Sequence, residues 1–458
     1  MTDRFYIPRL VVAGTHSGAG KTTVATGLMA AFSGRGVDVA PFKVGPDFID
    51  PSYHALAAGR PGRNLDAFLF GEDLVEPLFL HGCAGAGISV IEGVMGLFDG
   101  RSGAGDFAST AHVAKLLGAP VVLVVDASAM AGSVAAMVHG YATFDTEVNV
   151  AGVVLNRVGS ERHEAMLRRA VEPLGIPVVG VLRRNTAIET PDRHLGLVPV
   201  AERREEARRA VERLGEVVSA SCDLSFIERI AASAEPLLCQ AWKPEAVASG
   251  AEVRVAVATG PAFSFLYREN LELMRSAGAE VSFFDPTTDD RLPAGADALY
   301  LGGGFPEAYA DALSENTDLR DAVRSFAASG RPVVAECGGL MYLTRDLDGR
   351  RMCGVVAASS RMSDRLKLGY REAIAAADSP LMRAGETING HEFHYSEVEP
   401  DGSEGSAWSF GDGREEGFVC GVEANVHASY LHTHWAAVPQ VASRFVKAAA
   451  SARRGVRA

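Results

Sequence analysis

An apolar strand that runs straight into a glycine-rich turn and then a helix leaves a chain few folds to choose from. Pro8-Arg-Leu-Val-Val-Ala-Gly-Thr-His-Ser-Gly-Ala-Gly-Lys-Thr-Thr23 is such a stretch. Leu10 to Ala13 are apolar and mostly branched, as a strand buried on both faces requires, and Val24 to Phe32 carry helix formers at helical spacing. The turn therefore opens a helix, where unpaired backbone N–H groups and the positive end of the helix dipole favour an anion. We read it as a phosphate cradle. Thr15, Gly18 and Gly20 shape the loop, Lys21 reaches the β and γ oxygens, the Thr22 hydroxyl is placed for a magnesium ion, and Thr23 completes the nucleotide-binding set. The usual pattern puts four residues between its two glycines, which would place the first at 15; here that position is Thr15, with Gly14 one earlier. A purely structural glycine turn is the plainer alternative, but strand, loop, Lys-Thr and helix agree on the nucleotide.

From residue 8 to about 235 the pattern alternates between apolar strand and helix. Strands are expected at Leu10–Ala13, Val37–Phe42, Ile88–Glu92, Val121–Asp126, Val150–Asn156 and Val178–Val181. Alternation of this kind implies a mostly parallel sheet with helices on both faces and ligands at the C-terminal strand ends. Two acidic residues follow strands beside the cradle, Asp47 and Glu92. With Thr22 and phosphate oxygens they would complete a magnesium site. The plainer reading makes Asp47 a turn cap and Glu92 the partner of a nearby Arg. Asn156, at another strand end, is a candidate contact to a nucleotide base. Glu202 to Val218 alternates Arg with Glu and reads as a helix with a solvated face.

Around 241–252 the periodicity fails, which marks a linker between a first domain, 1–240, and a second, 253–458. At 458 residues two or three domains are expected in any case. The alternation restarts with strands at Val253–Ala258, Val281–Phe284, Ala298–Leu301 and Val333–Ala335, giving a second α/β domain to about residue 449, with Ser451 onward a frayed tail. Within it, Arg331-Pro-Val-Val-Ala-Glu-Cys-Gly-Gly-Leu-Met-Tyr342 reads as a strand, a sharp turn at Cys337 and a helix, the thiol form of a nucleophile elbow. The helix N-terminus is expected to lower the thiol pKa. His432 and His434 in Ser429-Tyr-Leu-His-Thr-His-Trp435 are candidate bases. The N–H groups of Gly303 and Gly304, in Tyr300-Leu-Gly-Gly-Gly-Phe-Pro-Glu307, with that of Gly338, are candidates for an oxyanion hole.

A net charge of −13 argues against a general nucleic-acid role, and no apolar run approaches the ~18 to 20 residues of a membrane span. Six cysteines without close pairing or metal-ligand spacing read as reduced thiols. With no secretory pattern at Met-Thr-Asp-Arg, a cytoplasmic protein is expected.

These motifs carry a resemblance that covers both domains. Gly14-Thr-His-Ser-Gly-Ala-Gly-Lys-Thr-Thr23, Lys43-Val-Gly-Pro-Asp-Phe-Ile-Asp-Pro51, Asn64-Leu-Asp66, Glu92-Gly-Val-Met-Gly-Leu-Phe-Asp-Gly100, Leu301-Gly-Gly-Gly-Phe-Pro-Glu307, Glu336-Cys-Gly-Gly339 and Tyr430-Leu-His-Thr-His-Trp435 together resemble the cobyrinate or hydrogenobyrinate a,c-diamide synthases of cobalamin biosynthesis. The resemblance implies an N-terminal P-loop domain like dethiobiotin synthetase and a C-terminal class I glutaminase domain with a flavodoxin-like sheet. It implies ATP as co-substrate, Mg2+ as cofactor, and amidation of a tetrapyrrole polycarboxylate through an acyl phosphate and ammonia from glutamine. It assigns Thr22, Asp47 and Glu92 to the metal, Lys21 to the phosphates, Cys337 to the glutamyl thioester and His432 to its activation, with Lys43, Asp50, Asp66 and Asp99 in the synthetase or substrate site. The partners expected are small molecules, and a homodimer is open to such a chain. The usual glutaminase ending is His-x-Glu, and here the place of the Glu is taken by His434. A synthase acting on nickel-sirohydrochlorin and the later cobyric acid synthase share this chemistry, and the first half also resembles partition-type ATPase switches.

Overall fold

The computed structural model describes residues 4–184, 192–193, 196–197, 200, 203–245, 252–401 and 405–456, in two units that divide between Lys243 and Pro244. Half of the expected linker, 246–251, lies outside the described residues. No helix among the described residues is long and apolar enough to cross a membrane.

The first unit is built on seven strands: β1 (Arg9–Gly14), β2 (Val39–Val44), β3 (Arg63–Leu65), β4 (Ile88–Glu92), β5 (Val121–Asp126), β6 (Val150–Val158) and β7 (Val178–Arg183). They lie in the order β3-β2-β4-β1-β5-β6-β7, every pair parallel. All six residues of β1 are buried, so its Leu-Val-Val-Ala run is continuous rather than alternating, as expected for the middle of a parallel sheet. The helices are α1 (Lys21–Gly34), α2 (Ile49–Ala58), α3 (Ala67–Phe70), α4 (Val75–Gly82), α5 (Thr110–Leu116), α6 (Ser133–Thr143), α7 (Glu161–Val171), α8 (Arg204–Ser221) and α9 (Leu224–Ala232). A small ribbon pairs β8 (Asp192–Arg193) with β9 (Gly196–Leu197).

The Arg/Glu-rich helix has a second face that its charges conceal. Its outer side carries Arg208 between Glu205 and Glu212, while Ala207, Ala210, Val211, Leu214, Gly215 and Val218 are buried. They pack on α1, and the approach is close. A Cβ on Gly27 would come within 2.4 Å of Val218, and one on Gly215 within 3.0 Å of Ala30 Cβ. The helix that opens at the phosphate loop is thus clamped along its length by α8.

The second unit begins with β10 (Val253–Ala258), α10 (Arg268–Ser276), β11 (Ala279–Phe284), β12 (Ala298–Leu301), α11 (Ala310–Glu315), α12 (Thr317–Ala328), β13 (Val333–Glu336) and α13 (Gly338–Leu343). The chain then departs from the expected alternation. β14 (Asp346–Leu347), β15 (Arg350–Arg351), β16 (Ala358–Ala375), β17 (Thr387–Pro400), β18 (Trp408–Phe410) and β19 (Glu415–Glu416) build a largely antiparallel sheet dominated by the long β16/β17 hairpin. β20 (Phe418–Cys420) and β21 (Val426–Ser429) return to the first sheet, in the order β11-β10-β12-β13-β21-β20. β22 (His432–Thr433) pairs with β17, and α14 (Gln440–Val456) closes the chain. The expected frayed tail is therefore helical as far as Val456, and 457–458 lie outside the described residues.

Candidate active sites

In the first unit the loop after β1 takes the conformation its glycines allow, with φ of +81° at Gly18 and +101° at Gly20. Gly20 also has no room for a side chain: a Cβ there would lie 2.1 Å from Asn156 Nδ2. Asn156 is fastened to the loop, donating to Ala19 O at 2.9 Å and accepting from the Arg157 N–H at 2.9 Å. Both ends of the amide thus hold the loop backbone, each with one bond. Thr15 gives its carbonyl to the Tyr141 hydroxyl, and its own buried hydroxyl has no hydrogen-bond partner in the protein. Lys21 folds back on the loop, with Nζ 3.1 Å from His16 O. Burial and the neighbouring Lys43 charge pull its pKa down to about 8, against the opposing pull of Glu92, Asp50 and Asp99. The first turn of α1, Lys21 to Thr23, has no side-chain cap at its N-terminus.

Parallel register brings the charged residues to this lip. Lys43 lies opposite Glu92 across β2/β4 and opposite Asn64 across β2/β3. Lys43 Nζ is 2.9 Å from Glu92 Oε1 and 2.6 Å from Asp50 Oδ2. Thr22 Oγ1 donates to Glu92 Oε1 at 2.6 Å, and His54 Nε2 is 2.6 Å from Glu92 Oε2. Asp50 and His54 stand one turn apart on α2, so one helix face supplies both. Burial alone would lift the Glu92 carboxyl, but Lys43 and the bonds from His54 and Thr22 outweigh it and hold it well below the usual range. Burial likewise works against the Lys43 ammonium, and Asp50 and Glu92 keep it charged. One cation does not hold two buried carboxylates equally. Burial and the Glu92 charge lift Asp50 well above its usual range despite Lys43.

The remaining acids cap backbone. Asp47 accepts from the N–H groups of Ile49 at 2.9 Å and Asp50 at 3.3 Å, which is the turn-capping arrangement, and Asn64 fixes its loop by donating to Gly45 O and Asp47 O. Asp66 caps α3 through Phe68 and Leu69. Asp99 accepts from Gly96 N–H at 2.8 Å and is exposed. Among the described residues no three His, Cys, Asp or Glu side chains form a metal cage. The adjacent hydroxyl of Thr22 and carboxylate of Glu92 are hard oxygen donors, and they suit magnesium, which keeps waters and takes phosphate oxygens.

In the second unit Cys337 follows β13 with φ 48° and ψ −103°, a backbone conformation that side chains rarely adopt. The elbow is forced by its surroundings. The Cys337 N–H donates to Ser429 O at 2.7 Å, and a Cβ on Gly339 would come 2.3 Å from Leu301 O. The thiol is not activated at rest: burial pushes it up, Glu307 adds to this, and the Gly338 N–H opposes. The expected lowering by the helix N-terminus is thus overridden, since α13 is only six residues long and the sulfur is buried.

His432 is buried, and burial with His394 lowers its pKa to about 3, so the ring is neutral and able to accept a proton. It stacks on His391, its partner in the β17/β22 register, at 4.9 Å and 16°. Gly303 makes room for the ring: a Cβ there would lie 2.3 Å from His432 Cε1. Its N–H donates to Phe265 O at 3.3 Å, which corrects its place in the oxyanion hole. The backbones of Gly304 and Gly338 lie close together, a Cβ on Gly338 standing 3.0 Å from Gly304 N. His434 caps the turn at Trp435–Ala437 through Nδ1, and its Nε2 is 3.4 Å from Glu269 Oε2.

Two groups carry more than their motifs suggested. Glu336, the residue before the thiol, accepts from Thr433 Oγ1 at 2.7 Å, Thr433 N–H at 3.3 Å and Tyr300 OH at 3.1 Å. Its Oε2 is 3.9 Å from His432 Nδ1, and burial lifts its pKa to about 7. His54 had no signal at all except its spacing of four from Asp50.

Comparison with known proteins extends over the whole chain. Residues 10–198 match the CobQ/CobB/MinD/ParA nucleotide binding domain, and 254–439 match the CobB/CobQ-like glutamine amidotransferase domain. The chain is 55% identical to the hydrogenobyrinate a,c-diamide synthase of Streptomyces coelicolor, over 96% of this chain and 97% of that protein. It is 51% identical to that of Thermobifida fusca, over 98% of each. With the cobyrinate a,c-diamide synthase of Synechococcus it shares 43%, over 96% of this chain and 98% of the relative.

Proposed function

The chain belongs to the family of cobyrinate and hydrogenobyrinate a,c-diamide synthases, glutamine-hydrolysing amide ligases, and from this we propose that it converts the a and c carboxylates of hydrogenobyrinate to amides. The observation that carries the cobalt-free substrate is the identity of 55% and 51% to two hydrogenobyrinate enzymes against 43% to the cobyrinate enzyme.

In the synthetase half, the loop backbone and Lys21 hold the ATP phosphates, and the substrate carboxylate attacks the γ-phosphorus to give an acyl phosphate and ADP. Ammonia then displaces phosphate. Thr22 and Glu92, with Asp47 on the neighbouring loop, would hold Mg2+, which would supply positive charge to offset that of the transferred phosphoryl group. Lys43, kept charged by Asp50 and Glu92, presents a fixed cation at the same lip. In the glutaminase half, Cys337 Sγ attacks the side-chain amide carbon of glutamine while His432 takes the thiol proton. Gly304 and Gly338 N–H groups receive the oxyanion. His432 returns the proton to the departing ammonia, and water then hydrolyses the thioester to glutamate.

The test offers hydrogenobyrinate and cobyrinate separately with ATP, Mg2+ and glutamine, and follows two successive losses of one negative charge by anion exchange with mass spectrometry. Diamide from hydrogenobyrinate at a clearly higher kcat/KM is expected. Preference for the cobalt-containing ring reverses the substrate assignment, and glutamine turnover with no amide on either ring removes it.

A further inference from the structure

The histidine in the glutaminase half lacks the acid that ordinarily follows it by two residues, because that position is His434. A base that accepts the thiol proton on one ring nitrogen needs something to orient the other and to offset the cation that forms. Two buried acids are close to the two histidines, and the pairing separates them. Glu269 lies by His434, which caps a turn. Glu336 lies by His432, with Oε2 3.9 Å from Nδ1, and reaches it from the other strand end of the elbow. Three donors fix its carboxylate: Thr433 Oγ1, the Thr433 N–H and Tyr300 OH. The residue before the nucleophile and the residue after the base are therefore tied together directly.

We propose that Glu336 is the positioning residue for His432, facing the ring at Nδ1 across 3.9 Å and supplying the negative charge that His-x-Glu enzymes place two residues after the histidine. The inference rests on the glutaminase reading above. During attack the Cys337 proton moves to His432 Nε2, the S–C bond forms and the amide C=O pair moves to oxygen. The imidazolium then faces the Glu336 carboxylate in a dry site, and when the proton passes to the leaving ammonia the charge pair is discharged. Glu336 neither gives nor takes a proton in the step.

The site also makes the arrangement pH-sensitive. Glu336 must be ionised to serve, and its carboxyl titrates at about 7. The groups that face it are Tyr300 from β12, held in turn by Asn270 of α10, His432 and Thr433 from β22, and Cys337 beside it, with His391 of β17 behind His432. Glu307 and Glu416 act on the thiol. Of these, the Thr433 hydroxyl, the Tyr300 hydroxyl and the Thr433 N–H favour the ionised acid.

The experiment measures glutamate release and ammonium-driven amide synthesis by the full-length chain and its variants across pH 5.5 to 9. For the wild type, kcat for glutamine is expected to climb as pH rises through about 7. Glu336→Gln is expected to lose about tenfold or more in kcat with little change in KM, to lose the climb, and to keep ammonium-driven synthesis. Thr433→Val, which deletes a donor to the carboxylate, is expected to move the climb to higher pH and to leave the plateau intact. A Glu336→Gln enzyme with the wild-type rate and profile overturns the proposal, as does a Thr433→Val enzyme whose climb stays in place. Cys337→Ser separates the two levels: if it still hydrolyses glutamine, the glutaminase reading itself fails.

Discussion

The Thr22 hydroxyl, on the first turn of α1, is bonded at 2.6 Å to Oε1 of Glu92, the last residue of β4. Lys43 donates to the same oxygen. The phosphate loop, the sheet and, through His54 at Oε2, α2 therefore meet at a single carboxylate.

Replacing that carboxylate tests the synthetase half. Glu92→Gln keeps shape but removes the charge that Lys43, His54 and any bound cation share. Amide synthesis from ammonium is expected to fall on the order of a hundredfold or more, while glutamate release from glutamine stays near wild type. Equal loss of both activities would point to a folding defect, which thermal unfolding would reveal.

Gly303→Ala is expected to damage only the other half. The added Cβ would meet His432 Cε1 at 2.3 Å, so ring or loop must move. Because positioning errors of about 1 Å can cost on the order of a hundredfold, kcat for glutamine should fall by one to two powers of ten. Ammonium-driven synthesis should persist. A wild-type glutaminase rate would mean that His432 is not the base.

At Cys337 chemistry and strain can be separated. Both Cys337→Ala and Cys337→Gly should abolish glutamine use and keep ammonium use. With φ at 48° and ψ at −103°, glycine relieves a backbone strain that alanine retains. The Gly variant is expected to be the more stable of the two by about 1 kcal/mol, read from denaturant midpoints.

Lys21 gives ATP binding a pH dependence of determined sign. Its pKa is lowered to about 8, so the ammonium is lost as pH rises through that value and the attraction for phosphate goes with it. Binding above pH 8 must then take up a proton. Titration calorimetry in buffers of different ionisation enthalpy is expected to show uptake of up to one proton near pH 9 and none near pH 6.5, with affinity falling by about tenfold per unit at the upper end.

The parallel sheets were legible because buried strands write themselves as unbroken apolar runs: Val121–Asp126, Val253–Ala258 and Ala298–Leu301 have the expected bounds. The β16/β17 hairpin was not, because Ser359 to Lys367 is polar and largely exposed and carries no such run. Motifs singled out Cys337, His432, Lys21 and Glu92, because the chemistry expected of them depends on local spacing. They could not say which acid turns toward which partner. Asp47 and Asp66 face backbone N–H groups and Asn156 the loop, as only the folded chain reveals. Glu336 and Thr433 are ninety-seven residues apart, and strand pairing alone brings them together.

The two kinds of ion pairing in the first unit answer differently to dissolved salt. The Arg208 ladder on α8 is open to water, where counter-ions shorten the reach of charge to about 8 Å at physiological strength and about 3 Å at 1 M. Lys43, Asp50, Glu92 and His54 are largely buried, where dissolved salt screens charge much less. In concentrated electrolyte the outer ladder is screened away, while the charges that shape the phosphate lip keep their mutual attraction.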